Sequence, residues 1–408
     1  MTQEISEELP TGVQLTVLDE NFRTDPYPIL ENIRSNTRVL NDVELGMNVC
    51  THHDDVKEIL RNKSLWTDPR KANPGTFFRE FLGGNEDREP SMLLMDEPDH
   101  RRLRSLVSKP FTPAAVEKWR PRTKTVIQKI LNEIRDDQLE FDLIAAFAGP
   151  IPTVVIAEML GIDPEKHEDF KKWSDLSVKV AFNPFPTEEE QQKSMASGEA
   201  LENFFVEEIA ARRTALGDDL LSDLIRAEEA GETLTTEEII GTCNLLLVAG
   251  NVTTTDLIGN GVKALLMYPE QLQKLKGDPS LIVNAVEEML RFDAPVTNSG
   301  RIVNETGSYA GCPIEQGENL MTSLAAANRD PSIYPEPNVF DIEREDTHHQ
   351  SFGGGRHLCL GAHLARLEAQ EAILALIKRF PDLVISDRGY RYSSIPSFRG
   401  MEECWVRV

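Results

Sequence analysis

The chain lacks any run of the roughly 18 apolar residues that a bilayer-spanning helix needs. Its most suspicious stretch, residues 245–249, is far shorter. It has no C-x-x-C pair, so a structural zinc site is not expected. Its five cysteines, Cys50, Cys243, Cys312, Cys359 and Cys404, are scattered and odd in number. They make no disulfide framework, and a reducing compartment is the simpler reading. Positive charge is also short: 43 lysines and arginines face 68 acidic side chains, a formal net charge of -25. That balance argues against nucleic acid as a main partner and against a polybasic membrane anchor. It favours solubility. The first ten residues are acidic and polar, unlike a secretory signal. No internal repeat or low-complexity tract occurs, and the expected location is the cytoplasm.

At 408 residues the chain is long for one domain unless a cofactor fills its middle. Residues 1–15 read as a flexible arm, and residues 16–408 as one domain with a smaller β-rich and a larger α-rich region. Strand-like pieces flank a glycine turn in residues 37–50, and residues 54–62 read as a helix. Residues 67–90 form a long loop carrying Phe77, Phe78, Phe81 and Leu82, which is uncommon in a compact domain unless functional. From residue 100 to 285 the pattern is mostly helical, interrupted by a charged, uneven region at 183–197. A loop there carries Phe182 and Phe185. A long helix starts near Thr235, whose spacing to Glu238 is that of a capping box. Nothing stops it before Pro269, so some 30 residues at 1.5 Å each span roughly 45 Å. Residues 302–323 alternate and turn like small strands, residues 368–379 form an amphipathic helix, and the C-terminus reads as a hairpin. The class is mainly α with small antiparallel β-sheets.

The strongest signal is Phe352-Gly353-Gly354-Gly355-Arg356-His357-Leu358-Cys359-Leu360-Gly361. Three consecutive glycines permit a tight loop with positive φ angles. Cys359 stands where a helix is expected to begin, at Leu360, and N–H groups at a helix start favour an anion. The sequence therefore predicts a low-pKa thiolate. Gly361 removes a side chain where a flat ring would lie against backbone.

This segment resembles the haem-binding signature of cytochrome P450, Phe-Gly-x-Gly-x-His-x-Cys-x-Gly, at every fixed position. The resemblance implies a cytochrome P450 fold, with haem b between a long central helix and the cysteine loop. It implies that Cys359 ligates the iron, that His357 bonds a haem propionate, and that Phe352 packs beside the sulfur. A thiolate pushes electron density onto the iron and favours O–O cleavage.

Three further constellations fit the same family. Glu288-Met289-Leu290-Arg291 has i, i+3 spacing on one helix face, and Phe340-Asp341-Ile342-Glu343-Arg344 follows it. By resemblance Glu288, Arg291 and Arg344 form a buried structural network. Asp96-Glu97-Pro98-Asp99-His100 with Arg104 looks like the family's Asp-x-Pro-x-His-x-x-x-Arg helix start. That implies His100 and Arg104 at the propionates, with Arg301 beside them. Ala249-Gly250-Asn251-Val252-Thr253-Thr254-Thr255 puts a glycine and three hydroxyls in mid-helix. This weakens the helix and lets threonines bond back to carbonyls and bend it. The resemblance makes Thr253 the hydroxyl that supports oxygen activation, with Thr254 beside it. Gly250 leaves room for dioxygen, and Ala249 stands over the cofactor. The family's acidic position is Val252 here. Either another donor replaces it (Asp256 one turn on, or the adjacent Asn251), or water or a substrate group does; a water relay organised by Thr253 is the favoured reading.

The resemblance runs from about residue 20 to the end. It implies a soluble, bacterial-type monomer fed by a ferredoxin and its reductase, which acts on a hydrophobic small molecule: a terpenoid, steroid, fatty acid or aromatic compound. The expected docking residues are Arg102, Lys109 and Arg366, from a locally basic stretch and the helix after the cysteine. Expected substrate walls are Phe77, Phe78, Phe81, Phe182, Phe185, Leu246, Val296, Thr297, Asn298, Ile395 and Phe398. Two other classes remain open, a haem sensor that does no chemistry and a peroxide-driven or redox-independent haem-thiolate enzyme.

Overall fold

The computed structural model describes residues 9–82, 91–167, 169–173, 187–229 and 234–408. Phe182 and Phe185 lie outside them.

The central helix, Thr236–Met267, runs 32 residues. Thr235 Oγ1 accepts from the Glu238 N–H while the Glu238 carboxylate accepts from the Thr235 N–H, the reciprocal box its spacing predicts. Pro269 opens the next helix. The central helix is buried all round in its second half, residues 254–265, as a helix crossing a core must be. It packs against helices Pro150–Met159, Ile282–Phe292 and Ala362–Arg379.

Strands β1 (Val39–Asp42) and β2 (Met47–Cys50) form the expected hairpin, turning at Gly46 with φ +59°. The strands β4 (Asn298–Ile302) and β7 (Asn319–Ser323) complete a sheet in the order β1-β2-β7-β4. Between them β5 (Gly307–Tyr309) and β6 (Cys312–Ile314) form a separate ribbon. The C-terminal hairpin of β8 (Val384–Tyr392) and β9 (Met401–Arg407) takes β3 (Glu140–Asp142) along its edge. One expectation needs correction: β2 and β7 run parallel, so the main sheet is mixed. Local alternation carries no information about the direction of a partner from the far end of the chain.

The arm also ends earlier than expected. Residues Gly12–Leu15 form a 3-10 turn; the Gly12 N–H donates to Asp42 Oδ2 at 2.9 Å, and Leu9 and Leu15 pack on the cluster around Ile33 and Met47. The aromatic loop carries a π-helical turn, Phe78–Leu82. Phe78 is 5 % exposed in that same cluster, its ring pressed on the bare Cα of Gly300.

Two buried charge networks tie the core. In the first, the Arg291 guanidinium grips Glu288 at 2.6 and 2.8 Å, and Arg344 Nε reaches the same carboxylate at 3.2 Å. Both Glu288 and Arg291 are wholly buried. The remaining Arg291 N–H groups donate to the carbonyls of Asn328, Pro337 and Val339. The expected triad is therefore assembled. The second network was not foreseen. Asp293 accepts from Tyr27 Oη at 3.0 Å, from Lys263 Nζ at 2.9 Å and from Arg399 Nε. It joins the N-terminal helices, the central helix and the terminal hairpin. Those cations hold its carboxyl well below the usual carboxylate range.

Candidate functional site

The cysteine loop is built as the glycines require. Gly353 and Gly355 have φ of +68° and +66°. A side chain on Gly355 would also strike the Leu60 carbonyl, so glycine is needed there twice over. The Cys359 N–H donates to the Phe352 carbonyl at 2.9 Å, closing the loop, and the Gly361 N–H points at the sulfur. Arg356 clamps the loop from outside the expected role. It turns inward to the carbonyls of Lys63 and Leu65 and to Asp96 Oδ1 at 3.2 Å. Asp96 also accepts from the Thr67 N–H at 2.8 Å and from Lys71 Nζ at 2.9 Å. Its place beside the Pro98-Asp99-His100 helix start was the only signal in the sequence.

The helix after the cysteine begins at Ala362, two residues later than expected. Cys359 thus stands off the helix end, with its residue exposed to solvent. Desolvation of the sulfur by the protein around it pushes the thiol up, against the Gly361 N–H, Arg104 and Arg366, which favour its thiolate. A bound metal cation would reverse the balance, since a coordinating thiol is deprotonated outright.

Next to the loop the structure gathers donors and cations. The rings of His100 and His357 lie 4.1 Å apart. His100 Nδ1 and His357 Nε2 are both buried without a hydrogen-bond partner. Burial, then nearby positive groups, pushes both imidazoles below their ordinary range, His357 to about 2. Arg104 donates to the Leu358 carbonyl at 2.6 Å. Arg301 is 4 % exposed and donates to Gly300 O at 2.6 Å, with longer contacts to Ser299 Oγ and Leu60 O. It holds no carboxylate, and desolvation, with Arg356 close by, lowers its pKa to about 10. Buried positive groups without an anion are costly, so this cluster suits a ligand that brings negative charge.

The central helix carries the next group of expected residues. Ala249 is exposed, and Gly250, Val252 and Thr253 are half-buried, in a helix otherwise mostly buried. A side chain at Gly250 or at Gly361 would enter open space. Thr253 Oγ1 donates back to the Ala249 carbonyl at 2.8 Å, as expected of a mid-helix threonine. The helix nonetheless continues unbroken through the segment. Thr254 is buried.

The expected substrate walls divide. Residues 296–298 and 395–398 meet: Val296 bridges Phe398, and the Thr297 N–H donates to the Ser397 carbonyl at 3.0 Å. Phe77, Thr297, Asn298, Pro396 and Ser397 share the lining of an apolar cavity of ≈ 70 Å³ that extends to Leu15 and Val17. Phe81 is 42 % exposed and stacks on Phe77, while Leu246 is 7 % exposed in the main core. Phe78 is a core residue under the sheet and no wall.

Two of the three docking residues are engaged within the chain. Arg102 pairs with Glu238 and Asp99. Arg366 pairs with Glu287 at 2.6 and 2.8 Å and lies over the Phe352 ring at 4.4 Å. Lys109 is exposed. A count of charge along the chain could not see the acids that other helices bring to these arginines.

The family model for Cytochrome P450 matches residues 42–390. The chain belongs to the cytochrome P450 family. It is 38% identical to Cytochrome P450 107B1 of Saccharopolyspora erythraea, over 96% of this chain and 97% of that protein. It is 37% identical to 6-deoxyerythronolide B hydroxylase of the same organism, over 95% and 97%. The crystal structure of the myxobacterial CYP267B1 in complex with myristic acid superposes with a TM-score of 0.87, at 35% identity, covering 96% of this chain and 98% of that one. This P450 is therefore an oxidoreductase that uses molecular oxygen, of a family that holds haem through a cysteine thiolate. Among the described residues no helix is long and apolar enough to cross a membrane.

Proposed function

We propose that this P450 holds haem b on Cys359 Sγ and inserts one atom of O₂ into a hydrophobic small molecule, with electrons from a ferredoxin and its reductase. One observation carries the reading: among the described residues, the cluster of His100, Arg104, Arg301 and His357 beside the cysteine loop has buried ring nitrogens without hydrogen-bond partners and a buried guanidinium bonded to no carboxylate. Two propionates satisfy that donor set. Haem, when bound, supplies the iron that activates oxygen, and a thiolate ligand favours O–O cleavage.

The chain's own groups do the rest. Gly250 and Gly361 keep side chains away from the ring's two faces, and Phe352 shields the sulfur while its carbonyl holds the Cys359 N–H. Thr253 Oγ1 orders protons at the oxygen side. Val296, Thr297, Ile395, Phe398 and Phe77 offer an apolar wall, which favours a hydrophobic substrate. The protein acts as a cytoplasmic monomer with one haem domain, and the exposed Lys109 is the docking cation that meets an acidic ferredoxin.

The test is a spectral titration of the ferric protein with terpenoid, steroid, fatty-acid and aromatic compounds, followed by turnover. The class that binds shifts the Soret band toward high spin, and NADH with ferredoxin and reductase then oxidises it. Turnover with peroxide alone, or binding with no turnover under either regime, would replace the ferredoxin-fed reading by the peroxide-driven or the sensor class.

A further inference from the structure

Asp256 lies on the central helix three residues past Thr253 and four past Val252. Neighbours at i, i+3 and i+4 share a helix face, so Asp256 shares the face that carries Ala249, Val252 and Thr253. Helical side chains lean back over the preceding turn, which sets the Asp256 carboxyl above Val252 and Thr253. The residue is 6 % exposed. Gly400 stands against it: any side chain there would fall on the carboxyl group.

Among the described residues no cation compensates this acid. The one charge acting on it is the Asp293 carboxylate, and burial together with that like charge pushes its titration well above the ordinary carboxylate range. The basic groups of the neighbourhood, Lys263 and Arg399, are taken up by Asp293, and Tyr392 bonds to both. A buried carboxyl group therefore stays protonated and is a donor. Thr253 is the complementary partner. Its own O–H is committed to the Ala249 carbonyl, so its lone pairs take a proton donor from the side.

We propose that Asp256 is a proton-donating residue of this P450, passing its carboxyl proton through Thr253 Oγ1 in place of the acid that the chain lacks at Val252. The inference rests on the monooxygenase reading above. Each turnover takes O₂, substrate RH, two electrons from the ferredoxin and two protons, and yields ROH and water. For each proton delivered, Thr253 releases the Ala249 carbonyl, gives up its own hydroxyl proton and takes the one on Asp256. The Asp256 carboxylate left behind recovers a proton from bulk water. The water relay anchored on Thr253 thus gains a resident acid.

The experiment uses the holoenzyme in two arms. The first is infrared spectroscopy at pH 7 in H₂O and D₂O. Wild type shows the C=O stretch of a protonated carboxylic acid that shifts in D₂O and is missing from Asp256→Asn. Glu368 is a second buried acid, its pKa pushed by burial up to about 8, and Glu368→Gln removes a different band. The second arm is NADH consumption with ferredoxin, reductase and myristic acid as the probe. Asp256→Asn slows it by about tenfold or more, the low side of what a positioned acid contributes. Its solvent deuterium isotope effect grows, haem content is unchanged, and Asp256→Glu restores part of the rate. No band lost from Asp256→Asn overturns the proposal, because the acid is then ionised. A band lost with NADH consumption and isotope effect as in wild type also overturns it, because asparagine keeps a donor for the partnerless Asn260 Oδ1 one turn on, and Asp256 is then structural. If the wild type consumes no NADH with any compound that shifts its Soret band, the ferredoxin reading falls instead, and the infrared arm still decides the state of Asp256.

Discussion

Glu288→Ala removes a large share of the protein's stability. The substitution leaves the Arg291 guanidinium fully buried with no anion, since Glu288 is the carboxylate it holds at 2.6 and 2.8 Å and Arg344 leans on the same group. Breaking a buried pair by deleting one partner costs about 3–5 kcal/mol. Typical domains have roughly 5–15 kcal/mol in total, so the variant is expected near or below the limit of folding. Glu288→Gln keeps the acceptor oxygen and should lose distinctly less. Denaturant melts of the three proteins in the haem-loaded form check this. A loss below about 1 kcal/mol for Glu288→Ala would mean the network is as dispensable as an exposed pair.

The second large effect has opposite signs in two preparations. Arg301 is buried and, among the described residues, bonded to Gly300 O, Ser299 Oγ and Leu60 O and to no carboxylate. In the protein stripped of haem its charge is an unrelieved desolvation cost, so Arg301→Leu should raise the melting temperature of that form. In the loaded protein, at the proposed haem site, the same charge would face a propionate. There Arg301→Leu should speed haem loss by about a hundredfold, which is about 2.7 kcal/mol, within what removing a hydrogen-bonded charge costs. Haem transfer to an excess of apomyoglobin measures the loss rate, and calorimetry the melting. A drop in stability in both forms would make Arg301 a structural arginine serving the backbone of β4 and the helix before it.

What the sequence could reveal followed range. The Thr235–Glu238 box, the glycine loop at 353–355 and the back-bonded Thr253 are set by residues within four positions of one another, and all three stand as read. The Glu288–Arg291–Arg344 triad was legible because a family pattern carried the long-range partner. Where only local composition was available, long-range partners stayed out of sight. The ion pairs of Arg102 and Arg366 were not legible because Glu238 and Glu287 are far along the chain. Phe78 looked like a substrate wall because the bare Gly300 that receives it lies on another strand. The Asp293 network joins four distant segments and left no trace in any window of sequence.

The measurement closest to the heart of the account is the absorption spectrum of the reduced, carbon monoxide-treated protein, taken for wild type and for Cys359→Ser. Wild type should be coloured and show the long-wavelength carbonyl band that thiolate ligation produces, and the serine variant should lose that band even where some haem is retained. A colourless wild type, or a band that survives the loss of the sulfur, would contradict it.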